Sequence, residues 1–228
     1  MFSFILSPVA YGARRTLRNL SFTLALSFSV ASAANAESVT VFALGDSLTA
    51  GYGLPEGDGL VPQLNVWLTE QGADVTVLNG GVSGDTSAGG LSRLAWSLTP
   101  DVDALIVTLG GNDLLRGLQP EVTRDNIKAI LTEAEARQLP VLLIGMKAPG
   151  NFGPAYKEAF DRLYPDLAAE HGALHIDSYF GLIDPQATDP GQIAEFMQAD
   201  GIHPNAEGVK RAVAALGPRV LDLVEQVN

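Results

Sequence analysis

Cysteine is absent from the 228-residue chain, and basic residues and histidines are scarce. Without cysteine there are no disulfide bonds, no thiol nucleophile and no thiolate metal site. The 14 Lys and Arg are outnumbered by 26 Asp and Glu, which leaves a formal net charge of −12. Such an acidic chain repels nucleic acid, so we expect no nucleic-acid partner. Three histidines are also few for a site that gathers several histidine metal ligands.

Long apolar segments are also lacking, apart from one run near the start of the sequence. That run extends from Leu20 to Val30, which is too short for a comfortable membrane span. Arginines precede it, no acidic residue occurs before Glu37, and the small-x-small sequence Ala34-Asn35-Ala36 follows it. This order predicts a secretory signal peptide over residues 1–36, the alternative being an uncleaved anchor helix. We therefore expect a periplasmic or secreted protein with no stable membrane anchor after cleavage.

Short apolar segments alternate with amphipathic ones over the rest of the chain. Runs rich in Val, Leu and Ile are typical of strands buried on both faces. They occur at Val39–Leu44, Val75–Leu78, Ala104–Leu109, Val141–Ile144 and Leu174–Ile176. Helical patterns lie near 61–71, 87–98, 121–138 and 155–170, and from about 206. The alternation predicts a single α/β domain over residues 37–228, in which helices cover both faces of a parallel sheet.

Local signals mark two helix starts and one expected irregularity. Thr86 and Asn205 are suited to cap the second and the last of the predicted helices. The Gly217-Pro218 pair lies inside the last helical pattern. Because proline cannot donate a helical hydrogen bond, we expect this pair to kink or split that helix.

Polar, glycine-rich segments follow the predicted strands. They are Gly45-Asp46-Ser47-Leu48 after the first strand, Asn79 to Thr86 after the second, Gly110-Gly111-Asn112-Asp113 after the third, and Asp200 to His203 before the final helix. Ligands of parallel sheets bind beyond the carboxyl ends of the strands. These segments should therefore converge on one site at that edge of the sheet.

The side chains in these segments suit acyl transfer. A serine hydroxyl such as that of Ser47 is a poor nucleophile at neutral pH unless a base accepts its proton. His203 is a candidate for that base, and Asp200, three residues earlier, is a candidate to orient the imidazole. Glycine-rich backbone and the Asn112 amide offer donors for the negative charge that develops on a carbonyl oxygen during attack.

With these motifs the chain resembles the SGNH (GDSL) hydrolases, above all the bacterial periplasmic branch of esterases, thioesterases and lysophospholipases. The motifs are Gly45-Asp46-Ser47-Leu48, Ser83-Gly84-Asp85-Thr86, Gly111-Asn112-Asp113 and Asp200-x-x-His203, in the family's order. The resemblance covers nearly all of the chain after residue 37. It implies a three-layer α/β/α sandwich with a flavodoxin-like, five-stranded parallel sheet.

The resemblance also implies a role for each site residue. Ser47 would be the nucleophile, His203 the base and Asp200 the group that orients it. The backbone N–H groups of Ser47 and Gly84 and the side chain of Asn112 would form the oxyanion hole, with no cofactor and no metal. The activity implied is hydrolysis of aryl esters, acyl-CoA-type thioesters or lysophospholipids by a monomer, through an acyl-enzyme on Ser47.

Other functions remain open at this point. Within the same family, a carbohydrate acetylesterase is the alternative. From other classes, Gly45-Asp46 and Gly111-Asn112-Asp113 faintly resemble metallophosphoesterase motifs, and the expected fold also suits a non-catalytic, flavodoxin-like binding module.

Apolar residues near the motifs favour an acyl chain over a sugar as the group that is bound. Leu114 and Leu115 follow the asparagine motif, and the segment 146–152 follows the fourth predicted strand. Ile193, Phe196 and Met197 precede the Asp200–His203 motif. We expect an acyl pocket lined from these segments, with core packing accounting for some of the residues.

Overall fold

The computed structural model describes residues 38–186 and 190–227. The predicted signal peptide, residues 1–36, lies outside the described part of the chain. Within that part, no helix combines the length and the apolar character needed to cross a membrane.

Parallel strands form one five-stranded sheet. They are β1 (Val39–Gly45), β2 (Val75–Gly81), β3 (Ala104–Thr108), β4 (Val141–Ile144) and β5 (Leu174–Ile176), in the spatial order β2-β1-β3-β4-β5. Their apolar side chains form the centre of the core, since every residue of β3 and β4 is buried. The predicted α/β class and the five-stranded parallel sheet are confirmed.

Helices cover the two faces of the sheet. One group that packs together contains α2 (Leu60–Glu70), α7 (Tyr179–Ile183) and α8 (Ala206–Val224); the other contains α3 (Ser87–Ser97), α5 (Pro120–Ala136) and α6 (Pro154–His171). Right-handed crossovers place the two groups on opposite faces, because the chain leaves β1 in one direction across the sheet and leaves β2 in the other. The result is the expected three-layer sandwich.

Shorter helices lie between these elements. They are α1 (Ser47–Ala50), α4 (Gly111–Leu115), and two 3₁₀ segments, Gly150–Phe152 and Pro190–Phe196. Single helical turns give almost no periodic signal in a sequence. For this reason the sequence patterns did not predict them.

The two predicted caps are present. Thr86 Oγ1 accepts a hydrogen bond from the Gly89 N–H at 3.2 Å, which starts α3. Asn205 Oδ1 accepts one from the Gly208 N–H at 3.0 Å, which starts α8. Each cap satisfies a backbone donor that has no acceptor within its own helix.

Of the kink or split expected at Gly217-Pro218, the split does not occur. Helix α8 runs without interruption through Pro218 to Val224. An internal proline costs a helix about 3 kcal/mol, and the buried apolar face of α8 offsets that cost. Gly217 contributes because the Trp67 ring of α2 packs directly against it, in space that a β-carbon would occupy.

Strand β2 is longer than the sequence predicts, and the extra residues matter for the site. Gly80 and Gly81 continue the strand and pair with Leu44 and Gly45 of β1. A β-carbon on Gly80 would collide with the Phe42 ring, so glycine is needed here for close packing. The polar segment after β2 therefore starts level with the end of β1.

Candidate active site

The nucleophile candidate, Ser47, lies in the turn that follows β1. Asp46 caps the single-turn helix α1, with its Oδ1 accepting a hydrogen bond from the Leu48 N–H at 3.0 Å. Ser47 is the first residue of that helix. The Ser47 N–H is therefore one of the helix-start donors that have no acceptor within the helix.

Ser47, His203 and Asp200 are connected by two hydrogen bonds. His203 Nε2 lies 2.8 Å from Ser47 Oγ. On the other side of the ring, His203 Nδ1 lies 2.6 Å from Asp200 Oδ2. The structure thus brings the three residues together in the order hydroxyl, imidazole, carboxylate.

The turn that carries His203 is held by its own aspartate and by a neighbouring ring. Asp200 Oδ1 accepts hydrogen bonds from the backbone N–H groups of Ile202, at 2.9 Å, and His203, at 3.0 Å. The Tyr52 ring packs on the imidazole with a centroid separation of 4.6 Å. Gln198 joins the two segments, since its Nε2 donates to the carbonyls of Tyr52 and Pro204. The orientation of the imidazole is therefore fixed from several directions.

Asn112 lies in the turn after β3, and it is anchored to Asp46. Its Nδ2 donates to Asp46 Oδ2 at 3.2 Å. A primary amide has two N–H groups, so a second Nδ2 hydrogen remains for another acceptor. Asn112, Ser47 and Gly84 line the same cavity. All three predicted oxyanion-hole residues therefore border one space.

Asp113, next to Asn112, is a buried anchor that does not border that cavity in the structure. Its Oδ2 accepts from the Ser87 N–H at 2.7 Å, and its Oδ1 accepts from the hydroxyls of Ser87 and Thr123. Asn126 donates to the Ser87 hydroxyl at 3.0 Å and extends the network. Asp113 thereby fixes the start of α3 relative to α4.

Arg93 is a part of the framework that the sequence patterns did not reveal. Its Nε donates to Asp85 Oδ2 at 2.7 Å, and its Nη2 donates to the Gly45 carbonyl at 2.9 Å. This buried guanidinium connects the segment after β2 to the end of β1. Arg93 lies 48 positions from Gly45 in the chain, and no local pattern relates residues at that distance.

Two aspartates beside the nucleophile experience opposite environments. Burial raises the pKa of Asp46 from 3.8 to about 6, against the lowering effect of the hydrogen bonds from Leu48 and Asn112. The hydrogen bond with the His203 ring, helped by backbone N–H donors, lowers the pKa of Asp200 to about 2. Asp200 is thus ionised over the whole neutral and mildly acidic range.

The cavity at this site has a volume of about 570 Å³ and a largely apolar lining. Leu114, Leu115 and Met146 are among the lining residues, as the sequence predicts, and so is Phe152. Phe180, Tyr52 and Ile202 also line it, and no sequence pattern singled them out.

Core packing accounts for two of the apolar residues that precede Asp200. Ile193 and Met197 are buried in the hydrophobic core. Phe196 packs instead against the Arg211 guanidinium, which lies 3.8 Å from the ring centre. Gly191, from the same segment, lines the cavity. Hydrophobicity alone does not distinguish a core position from a pocket position, so the sequence left the two open for this segment.

A serine, a histidine and an aspartate linked in this order at the carboxyl edge of a parallel α/β sheet are the arrangement of a serine hydrolase. Comparison with known proteins gives the family. Residues 43–211 match the model of the GDSL-like lipase/acylhydrolase family. The protein belongs to this family, and it is a hydrolase of ester bonds whose substrates are small-molecule esters.

Individual relatives of known name align with most of the chain. Esterase TesA of Pseudomonas aeruginosa is 38% identical over 186 residues, which are 81% of this chain and 89% of the relative. Arylesterase of Vibrio mimicus is 37% identical over 194 residues, 84% of this chain and 91% of the relative.

Solved structures of esterases are also similar to this chain. The SGNH-hydrolase family esterase AlinE4 is 40% identical with a TM-score of 0.66, over 82% of this chain and 96% of that one. The esterase EstA from Pseudoalteromonas sp., inhibited by monoethylphosphonate, is 27% identical with a TM-score of 0.73, over 82% of this chain and 98% of that one.

The raised pKa of Asp46 leads to a prediction about stability. Because the folded state binds this proton more readily than the unfolded chain, the associated stability is complete below pH 3.8 and is lost as the pH rises through about 6. Asp46→Asn removes this titration. Relative to the variant, the wild type should lose free energy of unfolding on the order of 3 kcal/mol across that window.

Urea unfolding of both proteins at a series of pH values measures this difference. The two curves of unfolding free energy against pH should diverge as the pH rises through the window. Parallel curves would show that Asp46 does not titrate differently in the folded and unfolded states.

Proposed function

We propose that the protein is a serine esterase that hydrolyses carboxylic esters and thioesters through an acyl-enzyme on Ser47. The observation that carries this proposal is the pair of hydrogen bonds at His203, 2.8 Å to Ser47 Oγ and 2.6 Å to Asp200 Oδ2. This spacing allows a proton to pass directly from the hydroxyl to the imidazole. The family supports the same chemistry.

In the proposed mechanism, His203 is the general base and then the general acid. Its Nε2 takes the proton from Ser47 Oγ as the oxygen attacks the substrate carbonyl carbon. The imidazolium then gives that proton to the departing alkoxide or thiolate, and the acyl group remains on Ser47. Water repeats the sequence with the acyl-enzyme as substrate, which releases the acid and restores the hydroxyl.

Asp200 supports both half-reactions in this proposal. Since the hydrogen bond with His203 holds its pKa at about 2, the carboxylate stays negative while the imidazole changes charge. It stabilises the imidazolium and keeps the Nδ1 proton directed away from Ser47.

The proposed oxyanion hole consists of the Ser47 and Gly84 N–H groups and the Asn112 amide. Negative charge forms on the carbonyl oxygen only during the reaction, so donors fixed in advance stabilise the transition state more than bound substrate. The bond from Asn112 Nδ2 to the buried Asp46 carboxylate supports this role because it restrains the amide.

The cavity lining supports acyl chains and aryl groups as the parts of the substrate that are bound. Leu114, Leu115, Phe152 and Phe180 surround a space of about 570 Å³ next to Ser47. Two relatives carry the names arylesterase and thioesterase 1/protease 1/lysophospholipase L1. We therefore favour aryl esters, acyl-CoA-type thioesters and lysophospholipids, with a carbohydrate acetylesterase as the alternative.

We also propose export and monomeric action. The basic segment, the apolar run Leu20 to Val30 and the Ala34-Asn35-Ala36 sequence support cleavage of residues 1–36 as a signal peptide and a periplasmic or secreted enzyme. All the residues of the proposed machinery come from one chain, which supports a monomer.

Replacing the nucleophile tests the reaction directly. Ser47→Ala should lower kcat for p-nitrophenyl esters by about 10⁴–10⁶-fold, because no hydroxyl remains to form the acyl-enzyme. A fluorophosphonate probe followed by peptide mass spectrometry should label Ser47 in the wild type and nothing in the variant. Wild-type turnover by the variant, or labelling at another serine, would contradict the proposal.

The oxyanion assignment predicts different effects at two neighbouring residues. Asn112→Ala should lower kcat by roughly 10²–10³-fold with little change in KM, since the lost donor acts mainly in the transition state. Asp113→Asn should instead lower the free energy of unfolding by about 1–3 kcal/mol, because one buried acceptor is lost at Ser87. Steady-state kinetics and urea unfolding separate the two. If Asn112→Ala raised KM and kept kcat, its amide would bind substrate and transition state alike.

A chain-length series tests the proposed substrate class. For p-nitrophenyl esters of increasing length, kcat/KM should rise by up to about fourfold per methylene until the apolar cavity is filled, which corresponds to about 0.8 kcal/mol per buried CH₂. Phe152→Ala should flatten that rise, because Phe152 is part of the lining. A preference for acetyl esters with no gain from longer chains would favour the carbohydrate acetylesterase.

A further inference from the structure

Arg116 differs from most Lys and Arg side chains of residues 38–186 and 190–227, because no carboxylate oxygen of these residues lies within 4.0 Å of its guanidinium. In the described residues, the other Lys and Arg side chains have a carboxylate oxygen within 4.0 Å, with the exception of Lys210. These paired cations are Arg93, Arg124, Lys128, Arg137, Lys147, Lys157, Arg162, Arg211 and Arg219. The charge of Arg116 is directed to a backbone carbonyl instead.

That carbonyl belongs to Gly84. Arg116 Nη2 donates a hydrogen bond to the Gly84 oxygen at 2.9 Å. Arg116 follows Asn112 by four positions, and its backbone N–H donates to the Asn112 carbonyl at 3.2 Å. Residues four apart lie on the same side of a helical turn. One helical turn and the Arg116 side chain therefore connect Asn112 to the carbonyl of Gly84.

The residues after Gly84 are held by other partners. Arg93 binds the Asp85 carboxylate, and Asp113 binds the Ser87 N–H. Gly84 itself has a φ of +87°, and a β-carbon there would meet no atom within 4 Å. Packing therefore does not fix the Gly84 peptide from that side. The Asp85 N–H, which belongs to the same peptide unit as the Gly84 carbonyl, donates to the Val82 carbonyl at 3.0 Å and closes the turn. The bond from Arg116 adds a side-chain restraint on the Gly84 carbonyl itself.

We propose that Arg116 is a positioning residue for the hydrolysis: its guanidinium holds the Gly84 carbonyl so that the Gly84 N–H and the Asn112 amide are directed at the same substrate oxygen. This inference rests on the proposed function of the site.

Charge gives Arg116 a second, smaller effect in the same direction. Asp46 and Asp113 are buried carboxylates close to the place where the oxyanion would form, and both oppose a further negative charge. A cation on Gly84 partly offsets that opposition. Because Arg116 is exposed, water and salt weaken this effect. Positioning is therefore the main role.

Substitutions of Arg116 that separate the effect of its hydrogen bond from the effect of its charge test the proposal. Arg116→Met removes both and should lower kcat for p-nitrophenyl butyrate about tenfold or more with little change in KM, as expected for loss of a charged hydrogen bond that matters in the transition state. Arg116→Lys keeps a charged donor and should recover most of that loss. Arg116→Gln keeps a neutral donor and should lie between Met and Lys.

Further measurements distinguish positioning from stability. The pH dependence of kcat/KM should keep its shape in all three variants, because Arg116 does not contact His203. Lys210→Met is the matched control, since Lys210 is an exposed cation of α8 without a carboxylate partner in the described part of the chain. It should keep wild-type kcat and KM. The denaturation midpoint of each variant identifies any loss that comes from unfolding.

The outcomes are separable. Wild-type kcat in Arg116→Met, or a loss that appears only in KM, overturns the inference while leaving the serine esterase assignment intact. An equal loss in Lys210→Met would also overturn it, because it would indicate a general charge effect. If the wild-type protein hydrolysed no ester and Ser47 were not labelled, the proposed function itself would fail.

Discussion

Parallel pairing of β1 with both β2 and β3 is the constraint on which the site depends. Gly45, the last residue of β1, is level with Gly81 of β2 and with Thr108 of β3. The turns after the three strands therefore begin at the same height and face one another. The connections that follow β1 and β3 also diverge, since the chain goes from β1 to β2 on one side of the sheet and from β3 to β4 on the other. Such a divergence leaves a crevice that helices do not fill, and here the crevice holds Ser47.

Buried polar groups convert this crevice into a fixed geometry. The Asp46 carboxylate accepts from the Leu48 N–H and from the Asn112 amide, so it couples the turn of Ser47 to α4. Arg93 couples the end of β1 to the segment after β2. Burying these charges is costly unless hydrogen bonds satisfy them. The cost is acceptable because each group connects two of the turns that must stay in register for acyl transfer.

The sequence predicts most of the fold because the fold is periodic. Strands β4 and β5 have the predicted bounds, and the start of β1 at Val39 is also as predicted. Apolar runs and helical patterns repeat over many residues, so they are recognisable without tertiary contacts. Pro218 does not split α8, because the packing of α8 against Trp67 outweighs a local preference that acts on one hydrogen bond.

The site was predictable only in part. The residues that the sequence reveals differ physically from those that it does not. The motifs name Ser47, Asn112 and His203 because few residue types can perform this chemistry. The arginines that contact the site could not be recognised in this way, because an arginine in the sequence gives no sign of which carbonyl it will bind. Arg116 and Arg93 acquire their roles from carbonyls that lie 32 and 48 positions away. Part of the cavity lining was unpredictable for the same reason, since tertiary packing alone puts Ile193 in the core and Phe180 at the pocket.

The two aspartates near Ser47 show how environment assigns roles to identical side chains. Asp200 has an exposed side chain and accepts three hydrogen bonds, so its pKa falls to about 2 and its carboxylate is negative at neutral pH. Asp46 is buried, and its pKa rises to about 6. A carboxyl that takes up a proton as the pH falls through about 6 loses its negative charge there, and with it the attraction for a protonated imidazole. The exposed carboxylate of Asp200 therefore suits the proposed role of orienting His203, and the buried carboxylate of Asp46 holds backbone and amide groups in place.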